Sequence, residues 1–227
     1  MQGILLVDKP PGWTSFDAVN YMRKLAANAE GKKPKNMKVG HTGTLDPLAT
    51  GLLVLLVGKA YTRRAGEFSK LGKTYEVTMK LGETSSTGDD EGEKTAVSGT
   101  APSEKAVLGA LEASQGQIMQ VPPAYSAIKV HGQRAYKLAR EGKEVTLEAR
   151  PVTVNELRMT KYEYPFVSLV ADVSSGTYIR SLVEDLGKAL GTGAYMSGLR
   201  RTRVGDFTVA DARTPDTDDL LGRIFLL

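Results

Sequence analysis

Apolar residues recur along the chain with the spacings of both strands and helices. A continuous apolar run, Gly3 to Val7, predicts a short strand, and helical spacing predicts an amphipathic helix over residues 15–29. The apolar positions of that helix are Phe16, Val19, Met22, Leu25 and Ala26. A second run, Leu52 to Val57, has the character of a strand buried on both faces. Alternation from Tyr75 to Leu81 predicts a half-buried strand.

The second half of the chain continues with strands and helices in irregular order. The expected elements are a helix capped by Ser103 with Val107, Leu108 and Leu111 on its apolar face, strands at 152–162 and 166–173, a helix after Ser174-Ser175-Gly176-Thr177 that ends at Gly191, and a strand-like stretch at 199–207. Strict alternation of strand and helix is missing from this order. We therefore predict an α+β fold, with a large mixed, mainly antiparallel sheet flanked by helices.

Residues 121–150 are expected to form a projecting arm. Two prolines follow Val121, a short strand is predicted from Tyr125 to Val130, and Gly132 marks a turn before a small basic helix near Arg134 to Arg140. The sequence shows no internal repeat and no obvious linker between domains.

Composition excludes several classes of site. The chain has 227 residues, 41% of them hydrophobic, which is enough for a sizeable core. Because cysteine is absent, disulfides, a thiolate nucleophile and a thiolate metal site are all excluded. The two histidines, His41 and His131, are too few to favour a zinc cluster. The apolar runs are too short for a signal peptide or a membrane span, so a cytoplasmic protein is expected.

Basic residues are segregated from acidic ones. The formal charge is +4, and the basic clusters are Lys32, Lys33, Lys35 and Lys38; Lys129, Arg134, Lys137, Arg140 and Lys143; and Arg200, Arg201 and Arg203. Such segregation can build one positive face for a nucleic-acid backbone, although each cluster taken singly also fits a solvated surface.

Common catalytic motifs are not matched. Gly72-Lys73-Thr74 resembles the end of a phosphate-binding loop, but the preceding glycine, Gly66, is displaced by one position. The acidic segment Asp89 to Glu93 does not have the spacing of a calcium loop and is interpreted as a solvated turn. No arrangement of serine, histidine and acid is indicated.

One carboxylate stands in an unusual loop, Gly40 to Gly51. Pro47 disfavours helical backbone angles for Asp46. Gly40, Gly43 and Gly51 permit sharp turns of the backbone or its close approach to a ligand. Taken alone, an aspartate before a proline is also typical of a turn or a helix cap.

Arg180 begins the helix that follows the Ser-Ser-Gly-Thr turn. An exposed pair with Glu184, one turn further on, is one interpretation. The other is that Arg180 reaches a buried carboxylate, since an adjacent guanidinium lowers the pKa of an aspartate by about 1–3 units.

The segment from Gly40 to Leu53 resembles the signature of the TruB family, the tRNA pseudouridine-55 synthases. Further blocks resemble that family in the expected order: Gly3 to Pro10, Lys73-Thr74-Tyr75, Val121 to Val130, Ser174 to Leu182, and Leu199 to Gly205. The resemblance covers residues 3 to about 207. It implies a pseudouridine synthase fold, with a catalytic domain over 1–210 and a short tail at 211–227 in place of the C-terminal RNA-binding domain common in relatives.

The resemblance implies that the uridine at position 55, in the TΨC loop of tRNA, is flipped out and isomerised to pseudouridine. Asp46 would be the catalytic carboxylate, and no cofactor or metal would be required. Whether Asp46 attacks the sugar, attacks the base or removes a sugar proton is left open. Arm residues 121–150 would grip the TΨC stem-loop and be mobile without RNA.

By the same resemblance, five further residues would bind the substrate. Tyr75 would lie against the flipped uracil, Tyr178 and Leu199 around the same pocket, His41 in the space that the base vacates, and Arg180 would pair with Asp46. A monomer without protein partners is expected. Two alternatives are an RNA-binding or tRNA-folding module that needs no turnover, and a guide-RNA-dependent synthase.

Overall fold

The computed structural model describes residues 1–130 and 132–226. His131, one of the two histidines counted above, lies outside the described residues. The chain forms two compact units, and each is described by itself. The first unit comprises Met1–Glu76 with Leu199–Leu227, and the second comprises Val77–Gly198.

Strands and helices alternate irregularly along the chain. In chain order they are β1 (Gly3–Lys9), α1 (Ser15–Ala29), β2 (Val39–His41), β3 (Thr50–Val57), α2 (Lys59–Thr62), α3 (Ala65–Ser69), β4 (Lys73–Leu81), β5 (Glu83–Ser85), β6 (Lys94–Ala96), α4 (Glu104–Ala113), β7 (Gly116–Gln120), β8 (Lys129–Val130), β9 (Gln133–Arg134), α5 (Ala135–Arg140), β10 (Arg150–Glu163), β11 (Phe166–Val173), α6 (Ile179–Ala189), β12 (Ala194–Val204) and β13 (Phe207–Thr208).

Strand β3 is the centre of the first unit. It pairs antiparallel with β1 and β2, and parallel with β12, where Arg201 lies opposite Gly51. One face of β1 and β3 packs on α1, and the other packs on Tyr61 and Phe68. All residues of β3 from Gly51 to Val57 are buried, which confirms the prediction of a strand covered on both faces.

Helix α1 has the predicted bounds. Thr14 and Asp17 form a reciprocal capping box at its N-terminus. Val19 and Met22 are buried against the sheet as predicted, but Phe16 is 58% exposed. Its assignment to the buried face was wrong: the ring lies on the solvent side of the helix, where the Arg23 guanidinium packs over it.

The second unit is built on the long strand β10. This strand pairs antiparallel with β11 on one side and β7 on the other. Helix α6 buries Leu182, Val183 and Leu186, as its periodicity predicts, and Gly191 follows it with a positive φ.

Two sequence predictions in the second unit were wrong. The strand expected from Tyr125 to Val130 is reduced to Lys129–Val130, because the Ala135 and Tyr136 amides of α5 bond the main chain at Ile128 and Ser126. Leu108, placed on the apolar face of α4, is 48% exposed, and only Val107 and Leu111 are buried there.

The sheet is mixed and mostly antiparallel, with helices packed against it, so the predicted α+β class is confirmed. Among the described residues, no helix has the length and apolar character needed to cross a membrane.

Candidate active site

The loop that carries Asp46 joins β2 to β3 in the first unit. One backbone bond ties the start of the loop to β3, since the Thr42 amide donates to the Val54 carbonyl at 3.2 Å, and a second lies within the loop, where the Ala49 amide donates to the Asp46 carbonyl at 3.1 Å. The second of these bonds closes a turn over Pro47, as the sequence indicates.

Two side chains from the start of the chain fix the middle of this loop. The buried Ser15 hydroxyl accepts from the Leu45 amide at 2.7 Å and donates to the Leu45 carbonyl at 3.0 Å. The Lys9 ammonium donates to the Pro47 carbonyl at 3.3 Å, and also to the carbonyls of Pro10 and Trp13. The residues on either side of Asp46 are therefore both tied to side chains of the first unit.

Arg201 holds the two ends of the loop. Its guanidinium donates to the Gly43 carbonyl at 3.1 Å, to the Thr44 carbonyl at 3.4 Å and to the Leu52 carbonyl at 2.8 Å. The side chain is buried, with only 1% of the residue exposed. The sequence interpretation of Arg201 as part of a basic surface cluster was wrong, because its donors point into the protein.

The other members of that cluster lie nearer the surface. Arg200 forms two hydrogen bonds with Asp8, at 3.0 and 2.7 Å, and 37% of its side chain is exposed. Arg203 is exposed and donates to the Thr74 hydroxyl at 3.0 Å.

The charges around the loop perturb one another. Burial lowers the pKa of Lys9 to about 8, the negative charge of Asp46 opposes that shift, and Arg201 adds to it. The pKa of Lys73 is likewise lowered to about 8, by burial and then by Arg201. The Asp46 carboxylate thus lies within interaction range of a buried cation in its own unit.

His41 ends β2, where it pairs with Leu55 of β3. Burial and the charge of Arg201 lower the pKa of its imidazole, so the ring is neutral at pH 7. Its Nδ1 atom is buried and lacks a hydrogen-bond partner among the described residues. An unsatisfied ring nitrogen next to the loop can form a hydrogen bond with a ligand.

Tyr75 and Leu199 also lie in the first unit. Tyr75 is buried in β4, on the same face as Lys73. Leu199 and Arg201 are two positions apart in β12 and share a face of the sheet, the face from which Arg201 reaches the loop.

Tyr178 and Arg180 lie in the second unit, at the start of α6. The buried amide side chain of Gln120 accepts from the Tyr178 amide at 2.8 Å and donates to the Tyr178 carbonyl at 3.1 Å. The Ser181 hydroxyl donates to the Val121 carbonyl at 2.8 Å. These bonds attach Gln120, the residue before the arm, and Val121, its first residue, to the start of the helix that carries Arg180.

Arg180 is buried, and its contacts within the second unit are well defined. The guanidinium donates to the carbonyls of Thr87 at 3.1 Å and Tyr125 at 2.9 Å, and Nε lies 3.8 Å from the Asp89 carboxylate. Asp89 is only 4% exposed, so its interpretation as part of a solvated turn was wrong. Its carboxylate accepts from the Thr87 hydroxyl and the Glu91 amide, bonds that compensate its burial.

The structure places the predicted site residues in two sets. His41, Asp46, Tyr75 and Leu199 belong to the first unit, and Tyr178 and Arg180 belong to the second. The pairing of Asp46 with Arg180 stays a prediction. No cluster of histidine, aspartate and glutamate suited to a metal ion occurs among residues 1–130 and 132–226.

Sequence reasoning missed four residues that hold this site: Lys9, Ser15, Gln120 and Arg201. A signal was present for two of them. Lys9 is the last residue of β1, two positions after the apolar run that ends at Val7, and Arg201 stands at an inward position of β12, two residues after Leu199. A basic residue at a buried strand position usually has hydrogen-bond partners inside the protein.

Comparison with known proteins gives concordant results. Residues 31–179 match the N-terminal domain of the TruB family of pseudouridylate synthases, and residues 180–224 match the tRNA pseudouridylate synthase B C-terminal domain. The tRNA pseudouridine synthase B of Arthrobacter sp. (strain FB24) is 47% identical over 221 residues, covering 94% of this chain and 69% of that protein.

Two further comparisons extend this result. The tRNA pseudouridine synthase B of Parabacteroides distasonis is 45% identical, and the alignment covers 96% of this chain and 92% of the relative. A chain in the solved structure of an H/ACA RNP bound to a substrate RNA containing 2′-deoxyuridine aligns with a TM-score of 0.69 and 27% identity. That alignment covers 99% of this chain but only 58% of the solved chain. The family predicted from the sequence is confirmed, and this chain belongs to the TruB family of tRNA pseudouridine synthases.

Proposed function

We propose that this protein isomerises the uridine at position 55, in the TΨC loop of tRNA, to pseudouridine, with Asp46 as the catalytic carboxylate. One observation carries the assignment to Asp46. Side chains from β1, α1 and β12 bond the main chain of Gly43, Thr44, Leu45 and Pro47, and thereby hold the backbone that carries this carboxylate. Such preorganisation is what a group acting on a transition state requires.

The reaction explains why a fixed carboxylate is sufficient. The bond between ribose C1′ and uracil N1 breaks, a bond between C1′ and C5 forms, C5 loses its proton and N1 gains one. Positive charge develops on the sugar as the first bond breaks, and a carboxylate stabilises it electrostatically or traps it covalently. Lys9 and Arg201 both bring positive charge to the loop of Asp46, because each donates hydrogen bonds to its main chain.

The family resemblance implies roles for the remaining residues. The uridine leaves its stack at a cost of a few kcal/mol, and the Tyr75 ring and the Leu199 side chain offset part of that cost by packing on the base. By the resemblance, His41 would enter the space that the base vacates; its Nδ1 has no hydrogen-bond partner among the described residues. By the same resemblance, Tyr178 would lie beside the base and Arg180 would pair with the Asp46 carboxylate.

The arm, residues 121–150, contacts the TΨC stem-loop. It carries the basic helix α5, and the Ser181 hydroxyl of α6 donates to the carbonyl of its first residue, Val121. Contacts from such a segment to the phosphates position the RNA, and the shape of the RNA determines much of the substrate selectivity. We further propose a catalytic domain over 1–210 with a tail at 211–227, and a monomeric enzyme that acts in the cytoplasm.

The Asp46→Asn variant tests this function. We expect it to bind an unmodified tRNA transcript as the parent protein does, but to convert it at least about 10³-fold more slowly, because the developing charge loses its stabilising carboxylate. Tritium release from C5 of the transcript measures conversion, and filter binding measures affinity. Asp206→Asn, which makes the same charge change at an exposed site, is the matched control.

The same assay separates the alternatives. Conversion that survives in Asp46→Asn would remove Asp46 from its assigned role. Binding without conversion by the parent protein would indicate an RNA-folding module, and conversion only after a guide RNA is added would indicate a guide-dependent synthase. A uridine converted outside the TΨC loop would refute the assignment to position 55.

A further inference from the structure

We propose that Arg201 is a positioning residue for the isomerisation: it touches no RNA, but it sets the geometry of the loop that presents Asp46. The inference rests on the proposed role of Asp46. It gives a function to a buried guanidinium that the sequence assigned to the RNA-binding surface.

The hydrogen bonds of Arg201 lie on both sides of Asp46 in sequence. Two of them end on Gly43 and Thr44, which precede Asp46, and one ends on Leu52, which follows it. A single rigid fork thus joins the beginning of the loop to the strand that leaves it. Because the guanidinium is planar, fixing one of these carbonyls restricts the positions of the other two.

The backbone of Arg201 is held as firmly as its side chain. Arg201 lies opposite Gly51 in the parallel pairing of β12 with β3. The approach is so close that a Cβ atom on Gly51 would lie 2.3 Å from the Arg201 carbonyl oxygen. The backbone pairing of β12 with β3 therefore sets the distance from β12 to the loop, and the Arg201 side chain spans that distance.

Burial excludes a direct role for Arg201 in gripping RNA. Its side chain is among the largest fully buried ones in the protein, and its hydrogen bonds with described residues all end on main-chain carbonyls. Burying a guanidinium costs free energy that hydrogen bonds to neutral carbonyls offset only in part. An apolar residue would fill the same space without that cost, so a purely space-filling role does not account for an arginine at this position.

The fixed charge of Arg201 acts on the groups around the loop. It contributes to the lowered pKa of Lys9, His41 and Lys73, which places all three within its electrostatic range. Arg201 therefore combines a mechanical effect on the backbone of the loop with an electrostatic effect on the titratable side chains around it.

The test compares Arg201→Lys with the parent protein in single turnover at saturating tRNA transcript. Lysine keeps the charge but has one nitrogen in place of the three that separately reach Leu52, Thr44 and Gly43. We therefore expect the rate to fall about 10- to 100-fold, as displacement of a catalytic group by about 1 Å does. The dissociation constant for the transcript is expected to stay within about threefold, because Arg201 is buried away from the RNA.

Two controls separate positioning from general destabilisation. Arg158→Lys makes the same replacement at an exposed site and should leave the rate unchanged. Phe68→Leu removes packing from the core of the first unit, and it should lower the melting temperature without lowering the rate at temperatures where it stays folded. Arg201→Gln, which keeps hydrogen-bond donors without charge, replaces the lysine variant if the latter does not fold.

Three results would overturn the proposal. The first is a rate for Arg201→Lys within threefold of the parent. The second is an equal loss of rate in Phe68→Leu at the same fraction folded. The third is an Arg201→Lys variant that binds the transcript more weakly but converts it at the parent rate. The parent protein measured alongside distinguishes the two hypotheses. A parent that leaves uridine unconverted refutes the proposed function, whereas a converting parent matched by Arg201→Lys refutes only the positioning role.

Discussion

Replacing Gly51 with alanine is expected to destabilise the protein severely. Gly51 has φ +99°, a region that residues with a side chain rarely adopt. A Cβ atom there would lie 2.3, 2.7 and 3.0 Å from the carbonyl oxygen, amide nitrogen and carbonyl carbon of Arg201. All three are backbone atoms, so no side chain can rotate away, and β12 itself has to move.

Gly12 provides the matched comparison for this substitution. It also has a positive φ, +78°, but a Cβ atom there would meet nothing within 4 Å. Gly12→Ala should therefore incur only backbone strain, about 1–2 kcal/mol. Gly51→Ala adds the displacement of a paired strand in the core, and we expect about 3–5 kcal/mol in total.

Urea unfolding of the two variants and the parent measures these free energies. Gly51→Ala should also lose isomerisation activity under conditions where it is still folded, because the shift of β12 carries Arg201 away from the loop. If Gly51→Ala were no less stable than Gly12→Ala, the inference that β12 approaches β3 closely would be refuted. The inference that Arg201 fixes the loop would be refuted with it.

Two further substitutions address the loop directly. Ser15→Ala leaves the buried amide and carbonyl of Leu45 without their partner, and urea unfolding should show a loss of about 2–4 kcal/mol; a loss below about 0.5 kcal/mol would contradict the contact. Lys9 has a folded pKa of about 8 against an ordinary value of 10.5, so between pH 8 and 9.5 the unfolded chain binds more protons and stability rises with pH. Lys9→Met should reduce that slope by up to about 1.4 kcal/mol per pH unit, and an unchanged slope would refute the depressed pKa.

The fold could be predicted from the sequence where the signal is local. Strand β1, helix α1 and strand β3 follow from continuous or periodic apolar runs, and the structure places them within a few residues of the predicted bounds. Short elements such as β2 and β5 were missed because three residues carry no measurable periodicity. The strand expected at Tyr125 to Val130 was wrong because contacts with α5, outside the run itself, determine that backbone.

The candidate site, too, could be predicted from the sequence only where the signal is local. Asp46 could be singled out from its own loop, since Pro47 and the neighbouring glycines are adjacent in sequence. The partners that fix the loop could not be found by local reasoning, because Ser15 lies 30 residues from Leu45 and Arg201 lies 158 residues from Gly43. Spacing along the chain contains no information about such contacts. Burial of Asp89 was missed for the same reason, since its cation, Arg180, lies on a distant helix.

The separation between Gly43 and Arg201 has a consequence for biosynthesis. At about 5–20 residues per second, roughly 8–30 s pass on the ribosome between the addition of these two residues. During that interval the nascent chain already contains Asp46 but not the arginine that fixes its loop. Truncated translation products that stop short of residue 201 should consequently leave tRNA unconverted, even where their early strands have begun to pair.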